Sequence, residues 1–274
     1  MKYCIHYTPN MKFKYIAEMA ELTIDFRRED TTITDFMLQN KDKIINVAIN
    51  DKQDFIDNNC IKLFNAIATE HSDVHFRFKI PSYKAYKDFY DLLQENEIKH
   101  EYFFAENVCD WDTLHGYMNL NPTSIYIAED LGFELKTVAE MLHGRGIEVR
   151  CYPNVAQSNW NETPALKKFF IRPEDISFYE PYVDVCEFFG DEKKLNTYYK
   201  IYAKDKKWSG NLQEIIISLN GELDSRFIVP SFAKYRLKCG KRCLKGHGCQ
   251  ICEATERLSA ALKDKGIMVK VPKE

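Results

Sequence analysis

The sequence predicts a (β/α)₈ barrel of the TIM type with a small four-cysteine appendage at its C-terminal end. Three observations lead there. Short runs of β-branched and aromatic residues alternate with amphipathic stretches eight times, which implies parallel strands joined by right-handed crossovers. The chain has 274 residues, within the size of one such barrel, and is 45% hydrophobic, enough for one large core. Four of its nine cysteines crowd into residues 239–252.

The strands are read at Lys2 to Tyr7, Leu22 to Phe26, Lys43 to Ile49, Val74 to Ile80, His100 to Ala105, Ser124 to Ala128, Glu148 to Tyr152 and Val183 to Phe188. Between them the spacing predicts helices over Phe13 to Ala20, from a cap at Thr32 or Thr34 to about Asn40, and over Lys52 to Glu70, Tyr83 to Asn96, Trp111 to Leu120 and Glu134 to His143. Pro164 to Tyr182 holds one or two short helices, and Glu192 to Ala203 a further one. An open doubly wound sheet is the competing architecture. It normally carries a Gly-rich phosphate loop after an early strand, and here that loop is Thr8-Pro9-Asn10. No Walker-type loop and no HExxH occurs either.

Residues 1–208 form the barrel on this reading. Residues 209–274 form an appendage too small for a full core without a metal staple. It contains Leu212 to Leu219, read as helix or strand, a turn at Asn220-Gly221, and a last helix over Glu253 to Lys265. No apolar run approaches the ~20 residues that cross a bilayer, and Met1 to Tyr7 has no signal-peptide core, so the expected compartment is the cytoplasm, with no membrane partner. Cys4, Cys60, Cys109, Cys151 and Cys186 are scattered through apolar segments and read as small buried hydrophobes.

Cys239, Cys243, Cys249 and Cys252 form the pattern C-x3-C-x5-C-x2-C. Four thiolates can close a tetrahedron about one Zn²⁺, and Gly240, Gly246 and Gly248 permit the tight turns this needs. A [4Fe-4S] cluster uses the same donor set, and the two cofactors stand nearly even. His247 could replace one sulfur. The spacing is neither that of a zinc ribbon nor that of a two-cluster ferredoxin.

From Arg226 to Cys252 there are seven Lys and Arg and no Asp or Glu. Removing those seven from the net charge of −3 leaves −10 on the rest of the chain. Such a basic, Cys-rich segment points to RNA or another polyanion as partner, with Lys238, Lys241, Arg242 and Lys245 as nucleic-acid contacts; a solvated charged surface is the plainer reading.

The mouth of the barrel is the second expected site, since βα loops converge at the C-terminal ends of the strands. His6, Asp25, Arg27, Asn50, Lys79, Glu106, Glu129, Arg150, Asn154, Glu187 and Asp191 fall there. His6, Glu129 and Glu187 are the catalytic candidates, as acid–base groups. Arg27, Lys79, Arg150 and Asn154 are the candidates for binding a small-molecule substrate, Arg27-Arg28 as a bidentate clamp or equally as a surface ion-pair turn with Glu29 and Asp30. A network of salt bridges closing an inert barrel is the alternative. The loop around Trp160 either stacks a base or packs as a lid.

One stretch is similar to a known family. Ser124–Phe133 (SIYIAEDLGF), a helix and then Gly146–Arg150 (GIEVR) resemble the late barrel units of the collagenase-like peptidase family. So do Phe170–Ile176 (FIRPEDI), and Val183–Asp191 (VDVCEFFGD) with a helix ending in Tyr199–Tyr202 (YKIY). The resemblance covers residues 124–202. It implies the barrel fold and, from members implicated in tRNA, rRNA and ubiquinone hydroxylation, an enzyme that modifies RNA or a small aromatic substrate. The family's cysteine signature, which holds a [4Fe-4S] cluster in hydroxylation members, falls where this chain has Pro153 to Trp160 and no cysteine. Cys186 and Asp191 stand where the family has lysine and arginine. The alternative is a non-catalytic adaptor, a degenerate barrel whose metal knuckle contacts nucleic acid or protein. No Ser/His/Asp or Cys/His arrangement supports peptidase activity.

Overall fold

Eight parallel strands close on themselves in chain order, β1 (Lys2–His6), β2 (Glu21–Phe26), β3 (Ile44–Ile49), β4 (His75–Ile80), β5 (Glu101–Val108), β6 (Ser124–Ile127), β7 (Glu148–Cys151) and β8 (Val185–Phe188), with β8 pairing back onto β1. The computed structural model describes residues 1–8, 11–26, 32–50, 58–84, 87, 89–91, 101–157, 165–219, 223–229, 232–239 and 250–268. Closure leaves no open edge to the sheet.

Each strand is apolar on its outer face. Leu22, Ile24, Ile45, Val47, Phe76, Phe78, Ile125 and Val149 pack outward into one continuous hydrophobic cluster with the surrounding helices. Those helices include α1 (Ile33–Gln39), α2 (Asn58–Glu70), α3 (Trp111–Asn119), α4 (Glu129–Gly132), α5 (Leu135–His143), α6 (Ile176–Tyr179) and α7 (Glu192–Tyr199). Asp110 caps α3 by accepting from Thr113 N, and Asp191 caps α7 by accepting from Lys194 N. Gly146, at φ +72°, ends the turn after α5 in a conformation that a side chain disfavours. The alternate residues point into the lumen, and they are mostly polar: Glu21, Thr23, Asn46, Arg77, Lys79, Ser124, Arg150 and Glu187 are all buried.

The helix expected over Phe13 to Ala20 is one 3₁₀ turn, Ile16–Glu18. The N–H groups of Lys12 and Lys14 are taken by the side chains of Glu192 and Asn196 on α7, at 2.6 and 2.9 Å, so this segment is satisfied by tertiary contacts instead of its own helix. The last expected barrel helix stops at Tyr199 and widens into a π turn over Lys200–Lys204. Leu212–Glu214 is a 3₁₀ turn, and Ile217 bridges Val155. Most of Tyr83 to Asn96, the start of Lys52 to Glu70, and Trp160 lie outside the described residues.

The C-terminal part is continuous with the barrel's packing. Leu212, Ile215, Ile216, Leu219, Leu223, Ile228, Phe232 and Ala233 belong to the same hydrophobic cluster as the outer strand faces. On α8 (Phe232–Arg236), Arg236 is buried, donates from Nη1 to Phe170 O at 2.8 Å and from Nη2 to Lys168 O, and lies against the rings of Phe170, Phe133 and Phe232. The final helix, α9 (Ile251–Asp264), is held through Glu253 to Lys167 at 2.6 Å and Glu256 to Leu166 N at 2.7 Å. No helix among the described residues is long and apolar enough to cross a membrane.

Candidate active site at the barrel mouth

The lumen is built in layers, because parallel strands point every second residue inward. At the N-terminal end, Lys2 reaches Glu148 at 2.5 Å, and Arg77 reaches Glu148 and Glu101, each at 2.7 Å. In the middle, Arg150 donates from Nη2 to Glu21 Oε2 at 2.5 Å and from Nε to Ser124 Oγ at 2.6 Å, with its guanidinium 4.3 Å from the centre of the Phe103 ring. Asn46 donates to the same Glu21 oxygen at 3.1 Å. Arg150 and Glu21 are both fully buried. These two layers fill the lower and middle lumen with paired charges.

The upper layer is different in composition. Lys79 on β4 places Nζ 2.6 Å from Glu187 Oε1 on β8. Tyr126 on β6 donates its hydroxyl to the other carboxylate oxygen of Glu187, and Thr23 lies 3.4 Å from the first. Tyr152, just past β7, stacks on Tyr126 at 4.7 Å with an 8° angle between the rings, and its hydroxyl lies 3.4 Å from Lys79 Nζ. Burial alone would disfavour the Lys79 ammonium, but the Glu187 carboxylate and Tyr152 outweigh it and hold the lysine above its usual range. Burial likewise opposes the Glu187 carboxylate, and Lys79 and Tyr126 more than offset it, so it stays below the ordinary value. Burial and Glu187 push both tyrosine hydroxyls up. The layer therefore holds an ammonium, a carboxylate and two neutral phenols at neutral pH.

Above it lies the rim. His6, the last residue of β1, places Nε2 3.1 Å from Asp25 Oδ1 on β2, and Asn50, following β3, donates to that same oxygen at 2.5 Å. His6 and Asp25 are partly exposed, at 43% and 31% of their side chains. Phe189, following β8, is 58% exposed, with its ring 6.2 Å from Tyr152 and nearly perpendicular to it. An exposed aromatic set edge-on beside a stacked tyrosine pair gives the mouth an aromatic lining. The His–Asp pair sets an acid–base group on the rim.

The expected site residues separate on this frame. Lys79 and Glu187 meet in the upper layer, and His6 stands on the rim. Glu129 opens α4 directly after β6 with φ +45°, a left-handed backbone rare outside glycine. Arg150 is one layer down, fully buried, where it is a core ion-pair partner. Asn154 is buried and locks the backbone of Phe189, donating to its carbonyl at 2.6 Å and accepting from its N–H at 3.1 Å. Asn154 therefore positions the aromatic. Arg27 lies outside the described residues. Sequence reasoning missed Tyr126 and Tyr152, although alternation from Ser124 and Arg150 places both inward.

On the C-terminal segment, Lys238 is exposed, Cys239 half-buried and Cys252 buried in the first turn of α9. Lys241, Arg242, Cys243, Lys245 and Cys249 lie outside the described residues. Among the described residues no group of three His, Cys, Asp or Glu could hold a metal ion. Among the described cations of this segment, Lys234 lies 5.3 Å from the centre of the Phe178 ring and two arginines have structural partners. Arg226 pairs with Asp224 at 2.5 Å, and Arg236 is the buried anchor described above.

No family model matches the chain, and no curated protein matches it.

Proposed function

We propose that this chain is a barrel enzyme that modifies a planar aromatic or heteroaromatic group, carried either by a small molecule or by an RNA base. The observation that carries the reading is the rim pair. His6 Nε2 faces Asp25 Oδ1 at 3.1 Å, with Asn50 fixing the same oxygen, at the C-terminal ends of β1 to β3. With Nε2 turned to Asp25, Nδ1 is the ring nitrogen left for proton transfer in this proposal. Tyr152 and Phe189 supply the stacking surface, and Lys79 an attractive charge beneath it.

The C-terminal segment has two parts in this proposal. Cys239, Cys243, Cys249 and Cys252 hold Zn²⁺ or a [4Fe-4S] cluster, and Lys238, Lys241, Arg242 and Lys245 meet the phosphates of a polyanion. Support for the metal site is the donor chemistry, four thiols within fourteen residues, together with the packing of Cys239 and Cys252 against one hydrophobic cluster. Such a centre supplies folding energy to the loop and, if a cluster, a redox group. The resemblance of residues 124–202 to the collagenase-like peptidase family belongs to this proposal and rests on the quoted residues alone.

A second reading, a non-catalytic adaptor on a degenerate barrel, is favoured by one observation: the lower lumen is filled by the ion pairs Arg77–Glu148 and Arg150–Glu21. Filter binding separates RNA from a small-molecule ligand. With RNA as partner, affinity for a short single-stranded RNA falls steeply with salt. Changing Lys241 and Arg242 to Glu then weakens binding by about 1 kcal/mol per lost phosphate contact. Affinity unchanged by that reversal removes RNA and leaves a small-molecule barrel or a protein-binding scaffold.

A further inference from the structure

Three neighbouring strands bring three sulfur atoms together on the outside of the barrel. Cys151 on β7 and Cys186 on β8 are register partners. Both point away from the lumen, because Arg150 and Glu187 beside them point into it. Their Sγ atoms lie 3.8 Å apart. On the other side of β8, Tyr3 of β1 pairs with Cys186. Met1, two residues earlier on the same face, brings Sδ to 3.2 Å from Cys186 Sγ. The two cysteines are fully buried, whereas Met1 is half-buried, so the cluster is approached from the Met1 side.

A buried thiol by itself needs no explanation beyond packing. Here two further features stand together. Among the described residues, the partners of these thiols within hydrogen-bond reach are sulfur atoms, namely each other and Met1. The spacing is also that of two ligands on one ion. Metal–thiolate bonds of about 2.3 Å place two sulfurs about 3.8 Å apart at a tetrahedral angle and about 4.0 Å apart at a trigonal one. Two thiolates and a thioether make a soft donor set, which selects Cu(I) over the harder divalent ions. Both cysteines also belong to the main hydrophobic cluster, where a hard ion would lose its hydration shell.

The geometry points to a Cu(I) site formed by Cys151, Cys186 and Met1. Binding replaces two S–H bonds with two S–Cu bonds and adds a dative bond from the Met1 thioether. Two protons pass to solvent, and no electron is transferred. The ion ties β7, β8 and β1 together across the seam where the barrel closes. It shares no residue with the four-cysteine segment.

Anaerobic titration of the full chain with Cu(I), in competition with bicinchoninate, tests the site by counting the copper held per chain. Copper taken by the C-terminal cysteines is common to all variants. Cys151→Ala and Cys186→Ala should each hold one copper fewer than the wild type. The double variant should also hold one fewer, not two, because a single ion needs both thiols. Thermal melts without copper check that each variant is folded. A second readout leaves the site unaltered: the chain labelled with selenomethionine and loaded with Cu(I) should show selenium among the nearest neighbours of copper in X-ray absorption at the copper edge. An equal copper count in the wild type and the folded variants overturns the site and leaves the two thiols as core packing. Copper with no selenium neighbour overturns the three-sulfur assignment.

Discussion

Lys79 and Glu187 stand 2.6 Å apart across the barrel, joining β4 to β8, and are 9% and 3% exposed. Each depends on the other, since both have left water for a lumen in which Tyr126 and Tyr152 are the neighbouring polar groups. A buried pair of this kind contributes little beyond an apolar pair of the same shape, but breaking it strands a charge. Lys79→Met should cost about 3–5 kcal/mol in unfolding free energy, and Lys79→Met with Glu187→Leu should recover most of that. Urea denaturation of the two single variants and the double variant measures the coupling. Additive losses would show that the pair does not act as a unit.

Glu174 gives the fold a pH dependence. It is 10% exposed beside Arg172, at 3.4 Å, but that guanidinium is already bidentate with Asp175 at 2.5 and 2.8 Å. Burial therefore wins over the cation, and the Glu174 carboxyl is pushed up from 4.5 to about 7. Between those values the folded chain holds a proton that the unfolded chain has released, so this group's contribution is complete below pH ~4.5 and is lost as pH rises to about 7. The loss is on the order of 3 kcal/mol. Glu174→Gln should flatten the stability profile between pH 5 and 7.5, read by thermal melts, and leave the variant more stable than the wild type at pH ~8. A variant with the same slope as the wild type would assign the dependence elsewhere.

The barrel was legible because its outer strand faces are near-continuous apolar runs, such as Ile44–Ile49, and such runs alternating with helices admit few topologies. The interior was legible only in part. Lys79 and Glu187 were visible as charges at strand ends, but their union depends on β4 and β8 facing each other across a closed barrel, which no local pattern encodes. Arg150 has the same local signature as Lys79. The stagger of β7 against β2 sets it level with Glu21, a layer below the mouth. Arg236 read as one cation in a basic run, whereas the carbonyls of Lys168 and Phe170, 68 and 66 residues away, make it a buried anchor. The missing helix after β1 has the same origin, because Glu192 and Asn196 lie about 180 residues from the amides they take.

Arg236→Ala removes two hydrogen bonds from a charged group and a guanidinium packed among three aromatic rings, leaving two carbonyls without their donor. A loss of about 3 kcal/mol is expected, concentrated in the C-terminal segment. Limited proteolysis should cut first near residues 232–239 in the variant while β1 to β8 stay protected in hydrogen exchange. Uniform loss of protection would contradict a local anchor.

The four-cysteine proposal predicts either one zinc or four irons with acid-labile sulfide per chain in anaerobically purified protein, by elemental analysis and absorbance near 400 nm. Cys243→Ser and Cys249→Ser should each abolish retention of the metal under chelator while the barrel stays folded. Protein that is metal-free after anaerobic purification, and that takes up neither metal on reconstitution, would remove the proposal.

The central claim is that ligands bind at the rim formed by His6, Asp25 and Phe189. Calorimetric titration with a panel of nucleosides and aromatic carboxylates tests it most directly. At least one member should bind the wild type. Phe189→Ala and His6→Ala should each weaken that ligand about tenfold, through lost stacking and a lost hydrogen bond, while Arg226→Ala, on the C-terminal segment, should leave it unchanged. Binding that survives both rim substitutions, or a panel that gives no binding at all, would contradict the account.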